Sequence, residues 1–206
     1  MNLLQIDELV RSQHYWLDPG DLCYYFMEYT SYAGFRFSEA NDLIQNFKKP
    51  MDRQGKPEWS YKQQAILRIT KMLIESIPSQ TNLSHILFVP IPPSKRKTDE
   101  LYDDRIVQVL SAFCKTYQGD LREILSMRYN IDASHTTTQR PKPAEIEANL
   151  LLDEGLCREK KETIFLVDDV IASGAHFKAC QHKLQECFPK SEIKGLFIAR
   201  RAVAVM

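Results

Sequence analysis

The residues of this chain best suited to chemistry are two adjacent carboxylates, Asp168 and Asp169. They follow the apolar run 163–167 and precede Ala172, Ser173, Gly174, Ala175 and His176, a small-residue turn that opens a helical pattern. An apolar run of this length reads as a buried strand, and in open parallel sheets ligands bind at the carboxyl ends of the strands. A small-residue turn at a helix start leaves backbone N–H groups free. With the helix dipole these hold a phosphate without a cationic side chain. Gly174 lets the backbone approach closely, and the Ser173 hydroxyl adds a donor. Asp168 and Asp169 are placed to accept hydrogen bonds from two neighbouring ribose hydroxyls, so one segment offers a sugar grip and a phosphate cradle. The plainer reading is a carboxylate pair that caps the next helix or faces water. It explains the acids but not the order strand, acids, small residues, glycine, helix.

A second cluster, Phe88-Val89-Pro90-Ile91-Pro92-Pro93-Ser94-Lys95-Arg96, also begins with a buried-strand pattern. Backbone N–H groups after the strand, with Lys95 or Arg96 as counter-charge, suit a diphosphate. Taken alone, it reads better as a proline-rich turn with solvated cations.

The segment 163–178, T-I-F-L-V-D-D-V-I-A-S-G-A-H-F-K, resembles the signature of type I phosphoribosyltransferases, V-D-D-V-x-T-[TS]-G-x-[TS]. The resemblance implies that Asp168 and Asp169 hold the ribose hydroxyls of phosphoribosyl diphosphate. It gives the 5′-phosphate to Ala172, Ser173, Gly174, Ala175 and His176. Ala172 stands where Thr or an acid is frequent, and His176 replaces a hydroxyl residue. The V-P-I-P run is similar to that of the competence-associated ComF-like branch, which places Ser94, Lys95 and Arg96 in a diphosphate loop. Thr136-Thr137-Thr138-Gln139-Arg140 and Glu147-Ala148-Asn149 are similar to a stretch of ComF-like and amidophosphoribosyltransferase-like members. There it includes a loop that closes over the substrate, which makes Gln139 and Arg140 ligand contacts; Glu147 stands where Arg is common. The alternative for this stretch is an ordinary surface loop. The resemblance covers residues 85–200, and the cysteine-rich ribbon of ComF proteins has no counterpart here.

The implied activity is transfer of a phosphoribosyl group to a nitrogen nucleophile, with Asp168, Asp169 and Lys95 as the catalytic set. Mg²⁺ is expected to arrive with the diphosphate and to take protein ligands, if any, from Asp168 and Asp169. The alternative is a non-catalytic module that binds phosphoribosyl diphosphate or a nucleotide and acts with a partner protein. Either reading leaves room for a homodimer or a protein partner.

The elements that must position these residues follow from periodicity. Alternation from residue 85 onward predicts strands at 86–91, 125–129, 163–167 and 193–199, with helices from 103 and over 175–187. That is an α/β fold with a Rossmann-like parallel sheet covered on both faces, of phosphoribosyltransferase type by resemblance. The long polar stretch 130–143 reads as a loop. Residues 1–80 are expected to form an N-terminal hood, and 81–206 the core, together making one compact domain. Within the hood, Leu3, Leu4, Ile6, Leu9 and Val10 predict an opening helix, and 22–29 a strand, with helix as the alternative. Ser38 predicts a cap for a helix to residue 48, and 58–77 a longer helix ended by Pro78.

Lys and Arg together number 27 and so do Asp and Glu, so the chain lacks the basic excess of a nucleic-acid binder. No apolar stretch approaches the length that spans a bilayer. Five scattered cysteines without a C-x-x-C pair argue against a disulfide scaffold and a zinc site. With no secretory pattern near residue 1, a cytoplasmic protein with reduced thiols is the expectation.

Overall fold

The computed structural model describes residues 2–131 and 141–203. Its main sheet has six strands: β1 (Leu4–Gln5), β2 (Cys23–Thr30), β3 (Ile86–Pro90), β4 (Asp120–Leu121), β7 (Thr163–Ile171) and β8 (Glu192–Ala202). They lie in the order β1-β2-β8-β7-β3-β4, with every neighbouring pair parallel except β1 and β2. Two short strands, β5 (Leu125–Met127) and β6 (Leu150–Leu152), form a separate antiparallel ribbon. The expected α/β architecture with a mostly parallel sheet is therefore present.

Helices cover both faces because every central strand buries both of its sides. On one face α5 (Pro143–Ala148), α6 (Ala175–Gln185) and the β5–β6 ribbon pack over Leu87, Val89, Ile164 and Leu166. On the other, α2 (Glu39–Phe47), α3 (Trp59–Glu75) and α4 (Arg105–Tyr117) cover Phe88, Val167, Leu196 and Ile198. No described helix is long and apolar enough to cross a membrane.

The first 80 residues enter the sheet as well as covering it. β2 runs parallel to β8 from Cys23 opposite Gly195 to Thr30 opposite Ala202, so the region expected as a hood also supplies an inner strand. The opening helix predicted from Leu3 to Val10 is not formed. Asp7 caps a single turn, α1 (Glu8–Arg11), by accepting from the N–H groups of Leu9 and Val10. Leu4 and Gln5 lie ahead of that cap and pair instead with Tyr25 and Tyr24, while Ile6 is sunk in the core. The strand predicted at 125–129 is shorter and belongs to the ribbon, not to the main sheet. Ser38 caps α2 as predicted, its hydroxyl accepting from Asn41 N–H.

Gly195 allows close packing where β8 passes β2. A Cβ there would lie 2.6 Å from the Phe197 ring and 2.8 Å from Cys23 Sγ. Phe197 cannot retreat, because it is buried edge-on against Phe177. Gly195→Ala is expected to destabilise the fold by about 1–3 kcal/mol, read as a lowered urea midpoint with unchanged slope.

Candidate functional site

The crevice forms where two neighbouring strands have unequal lengths. β3 ends at Pro90, opposite Val167, and a last backbone bond joins Ile91 N–H to the Val167 carbonyl. Pro92 and Pro93 cannot donate to a ladder, so pairing stops there. β7 continues to Ile171 beside β8 alone, leaving its β3-side edge open from Asp168 onward. After β3 the chain turns to α4 on one face, and after β7 to α6 on the other. This is a topological switch point, where open α/β sheets bind ligands.

Asp168 lines both halves of the crevice. One half, about 20 Å³, runs between Pro90–Pro93 and Tyr102–Val107. The other, about 60 Å³, is enclosed by Val170 to Phe177 and Phe197. Both volumes are small, so the crevice must widen to admit a sugar phosphate. A roomier cleft, about 690 Å³, lies elsewhere, between α2 and α3. Its cations are engaged, Lys49 with Asn46 and the Tyr61 ring, and Arg68 with Glu39. It gathers no comparable set of acid, glycine turn and helix start.

The two acids do not sit side by side. Strand alternation sends Asp168 towards the α6 face and Asp169 towards α2 and α4. Asp169 is almost fully buried and clamped between two cations: Lys48 Nζ donates to Oδ1 at 2.8 Å, and the Arg105 guanidinium donates to Oδ2 through Nε at 3.1 Å and through Nη2. Arg105 also bonds Asp103 through Nη1 at 2.5 Å and lies over the Phe47 ring. Asp103 in turn accepts from Lys62 Nζ at 2.6 Å, and that buried ammonium donates to the carbonyls of Phe47 and Lys49 as well. One network therefore joins α2, α3, α4 and β7.

The charges split the behaviour of the pair. Burial and then the Asp169 charge push Asp168 up from the ordinary 3.8 to about 7, against the pull of Lys48 and Arg105. Burial alone would raise Asp169 too, but Lys48 and Arg105 outweigh it and hold that carboxyl well below the usual range. Burial lowers the His176 imidazole, Lys48 lowers it further, and Asp169 opposes them; the residue itself keeps an edge exposed to solvent.

The turn after β7 has the predicted form. Gly174 caps α6 at φ 89°, a left-handed backbone that favours glycine. The first N–H groups of α6 have no intrahelical acceptors, and Ala175, His176 and Phe177 line the crevice. Ser173 is buried, and its hydroxyl accepts from Ala175 N–H at 3.4 Å instead of pointing outward. An N-terminal strap holds the turn from behind. Trp16 N–H donates to the Ser173 carbonyl, buried His14 bonds the Ala172 carbonyl through Nδ1, and Leu17 packs on Gly174.

The remaining predicted residues are distributed less tightly. Ser94, Lys95 and Arg96 follow Pro93 but are not among the residues lining the crevice. They are tied to the base of the next loop: Ile131 N–H donates to the Ser94 carbonyl and Arg96 N–H to Asn130. Gln139 and Arg140 lie outside the described residues, as do Thr136, Thr137 and Thr138. Lys48, Arg105, Asp103, Lys62 and His14 belong to the site without having been singled out as ligand groups. Lys62 alone carries a signal, since it falls in helical register with the buried stripe Ala65, Ile69 and Leu73.

Among the described residues no group of three His, Cys, Asp or Glu side chains is arranged to hold a metal. With Asp169 taken up by two cations, Asp168 is the carboxylate of the pair that lines the crevice. No protein-family model matches the chain, and no relative is found among curated proteins.

The asymmetry of the pair has an expected signature. Asp168 is raised in the folded state, so the folded chain holds an extra proton between 3.8 and about 7. That contribution to stability is complete below the unfolded value and lost as pH rises through about 7. In urea unfolding, Asp168→Asn is expected to gain on the native chain from about pH 5 to about pH 8 and to be the more stable at the upper end. Asp169→Asn leaves Arg105 and Lys48 unpaired and is expected to cost about 3 kcal/mol or more at neutral pH.

Proposed function

We propose that the crevice between β3 and β7 binds phosphoribosyl diphosphate with Mg²⁺, on a core of phosphoribosyltransferase type, and that the chain transfers the phosphoribosyl group to a nitrogen nucleophile. The observation that carries this reading is the coincidence of three features at one switch point. They are an open strand edge bearing Asp168, a left-handed Gly174, and the start of α6. The helix start suits the 5′-phosphate, and Asp168 suits a ribose hydroxyl. The loop Ser94, Lys95, Arg96 suits the diphosphate, once the crevice has widened.

In the transfer, the bond from the sugar C1 to the diphosphate oxygen breaks, and diphosphate leaves with the electron pair. A nitrogen lone pair forms the new bond to C1, and the nitrogen then loses its proton. Because the sugar passes through an oxocarbenium-like state, the protein's task is to stabilise leaving-group charge and exclude water. Bound magnesium supplies charge neutralisation on the diphosphate. Lys95 adds a cation from the chain, and Asp168 fixes the ring.

A second reading is favoured by the clamp on Asp169. A carboxylate already holding Lys48 and Arg105 suits a module that binds phosphoribosyl diphosphate or a nucleotide and signals occupancy to a partner protein without turnover. Both readings describe a cytoplasmic protein of nucleotide metabolism.

Isothermal titration of phosphoribosyl diphosphate tests both. Magnesium-dependent binding to the native chain is expected, weakened at least about tenfold in Asp168→Asn. Absence of binding to the native chain would overturn the assignment. Release of diphosphate on adding bases or amines would select the transferase, and tight binding without release the sensor.

A further inference from the structure

We propose that His14 is the positioning residue of the phosphate cradle, holding the turn at Ala172 and Ser173 so that its backbone N–H groups face the ligand. This rests on the crevice being the ribose phosphate site, and it assigns phosphate recognition there to main-chain donors set from behind by the N-terminal strap.

A trans peptide unit points its carbonyl and its N–H in opposite directions. The peptide bonds of the turn are trans, so the Ala172 carbonyl fixes the direction of the Ser173 N–H, and the Ser173 carbonyl that of the Gly174 N–H. Both carbonyls are drawn to the strap: His14 Nδ1 holds that of Ala172, and Trp16 N–H donates to that of Ser173 at 3.0 Å. The strap side of the turn is closed, since a Cβ on Gly174 would lie 3.0 Å from Leu17 Cδ2. Ala172, Ser173, Gly174 and Ala175 line the crevice on the other side, and no described residue of the strap does. The Ser173 and Gly174 N–H groups therefore point away from the strap and towards the crevice. Among the described residues neither has a protein acceptor. Successive N–H groups aimed the same way form an anion-binding concavity.

Of the two bonds that turn the carbonyls back, the one from His14 depends on a side chain. A carbonyl only accepts, so Nδ1 carries the ring proton and the neutral imidazole has none on Nε2. Burial lowers the imidazole, the Ala172 carbonyl opposes this, and the charges of Arg200 and Arg201 lower it further. The ring is wholly buried, and its Nε2 has no partner among the described residues. A buried polar atom left idle costs stability that an apolar side chain would avoid, so packing gives no reason for histidine here and the bond to Ala172 does. The strap is itself anchored at both ends. Gln13 accepts from Arg200 of β8 at 2.9 Å, and Asp18 and Asp21 hold Lys178 of α6 at 2.8 and 3.0 Å. The turn is thus set against the same strand and helix that frame the crevice.

Replacing His14 by Asn or by Leu separates the donor from the bulk. The two side chains have nearly the same shape, and the Asn amide nitrogen can stand where Nδ1 stands. NMR titrations of the native chain and both variants with ribose 5-phosphate, and with phosphoribosyl diphosphate and Mg²⁺, read affinity, while urea unfolding records what each substitution costs the fold. Affinity is expected to fall at least about tenfold in His14→Leu and to be largely restored in His14→Asn. In the native chain the Ser173 and Gly174 amide protons are expected to move downfield on binding, as N–H groups donating to phosphate do, and this readout stands even if neither variant folds. Native affinity in His14→Leu, equal losses in the two variants, or a bound ligand that leaves those two amide protons unmoved would overturn the positioning role while leaving the site assignment standing. Failure of both ligands to bind the native chain would overturn both.

Discussion

A single buried carboxylate organises this molecule. Asp169 has its side chain almost wholly out of water, and such a charge persists only where partners replace its lost solvation. The partners come from two helices distant in sequence. Lys48 ends α2, Arg105 begins α4, and Asp103 and Lys62 extend the chain of bonds into α3. The three helices on that face of the sheet are thus positioned by charge as well as by apolar packing. A shift in any one would strand an ion in a desolvated place.

The other constraint is topological. β7 outlasts β3 because prolines end the shorter strand, and the connections leave the two strands in opposite directions. The gap so created is lined by Asp168 and roofed by the Gly174 turn, while Asp169 looks away from it to the clamp. Strand pleating thereby gives two identical residues different electrostatic lives. One is pushed towards neutrality by burial and by its neighbour's charge, and the other is held ionised by two cations.

Much of this architecture was legible in residue order, for definite reasons. β3 and β7 are continuous apolar runs bounded by prolines or acids, and α2 is announced by Ser38. The glycine turn was legible because a left-handed cap leaves few choices of residue. The opening segment was misread because a hydrophobic spacing compatible with a helix is broken by Asp7, whose side chain caps the turn that follows it. The clamp could not be read at all. Lys48 and Arg105 lie 121 and 64 residues from Asp169, and no local pattern distinguishes them from solvated surface cations. Alternation along a strand did imply that adjacent acids face opposite ways, a consequence obscured by treating the pair as a single grip.

The ribbon of β5 and β6 has a further consequence. Above it the chain leaves and returns at almost one point: Arg128 N–H meets the Asn149 carbonyl at 2.8 Å, and the Asn149 side chain closes the gap by bonding both the N–H and the carbonyl of Tyr129. A neck closed in this way holds β5 in register on β6 and seats α5 against the sheet, with Ile146 buried in the core. Closing it carries an entropic cost that grows only with the logarithm of the length spanned. The clasp at Asn149 therefore acts as a point of re-entry, fixing where the chain rejoins the fold.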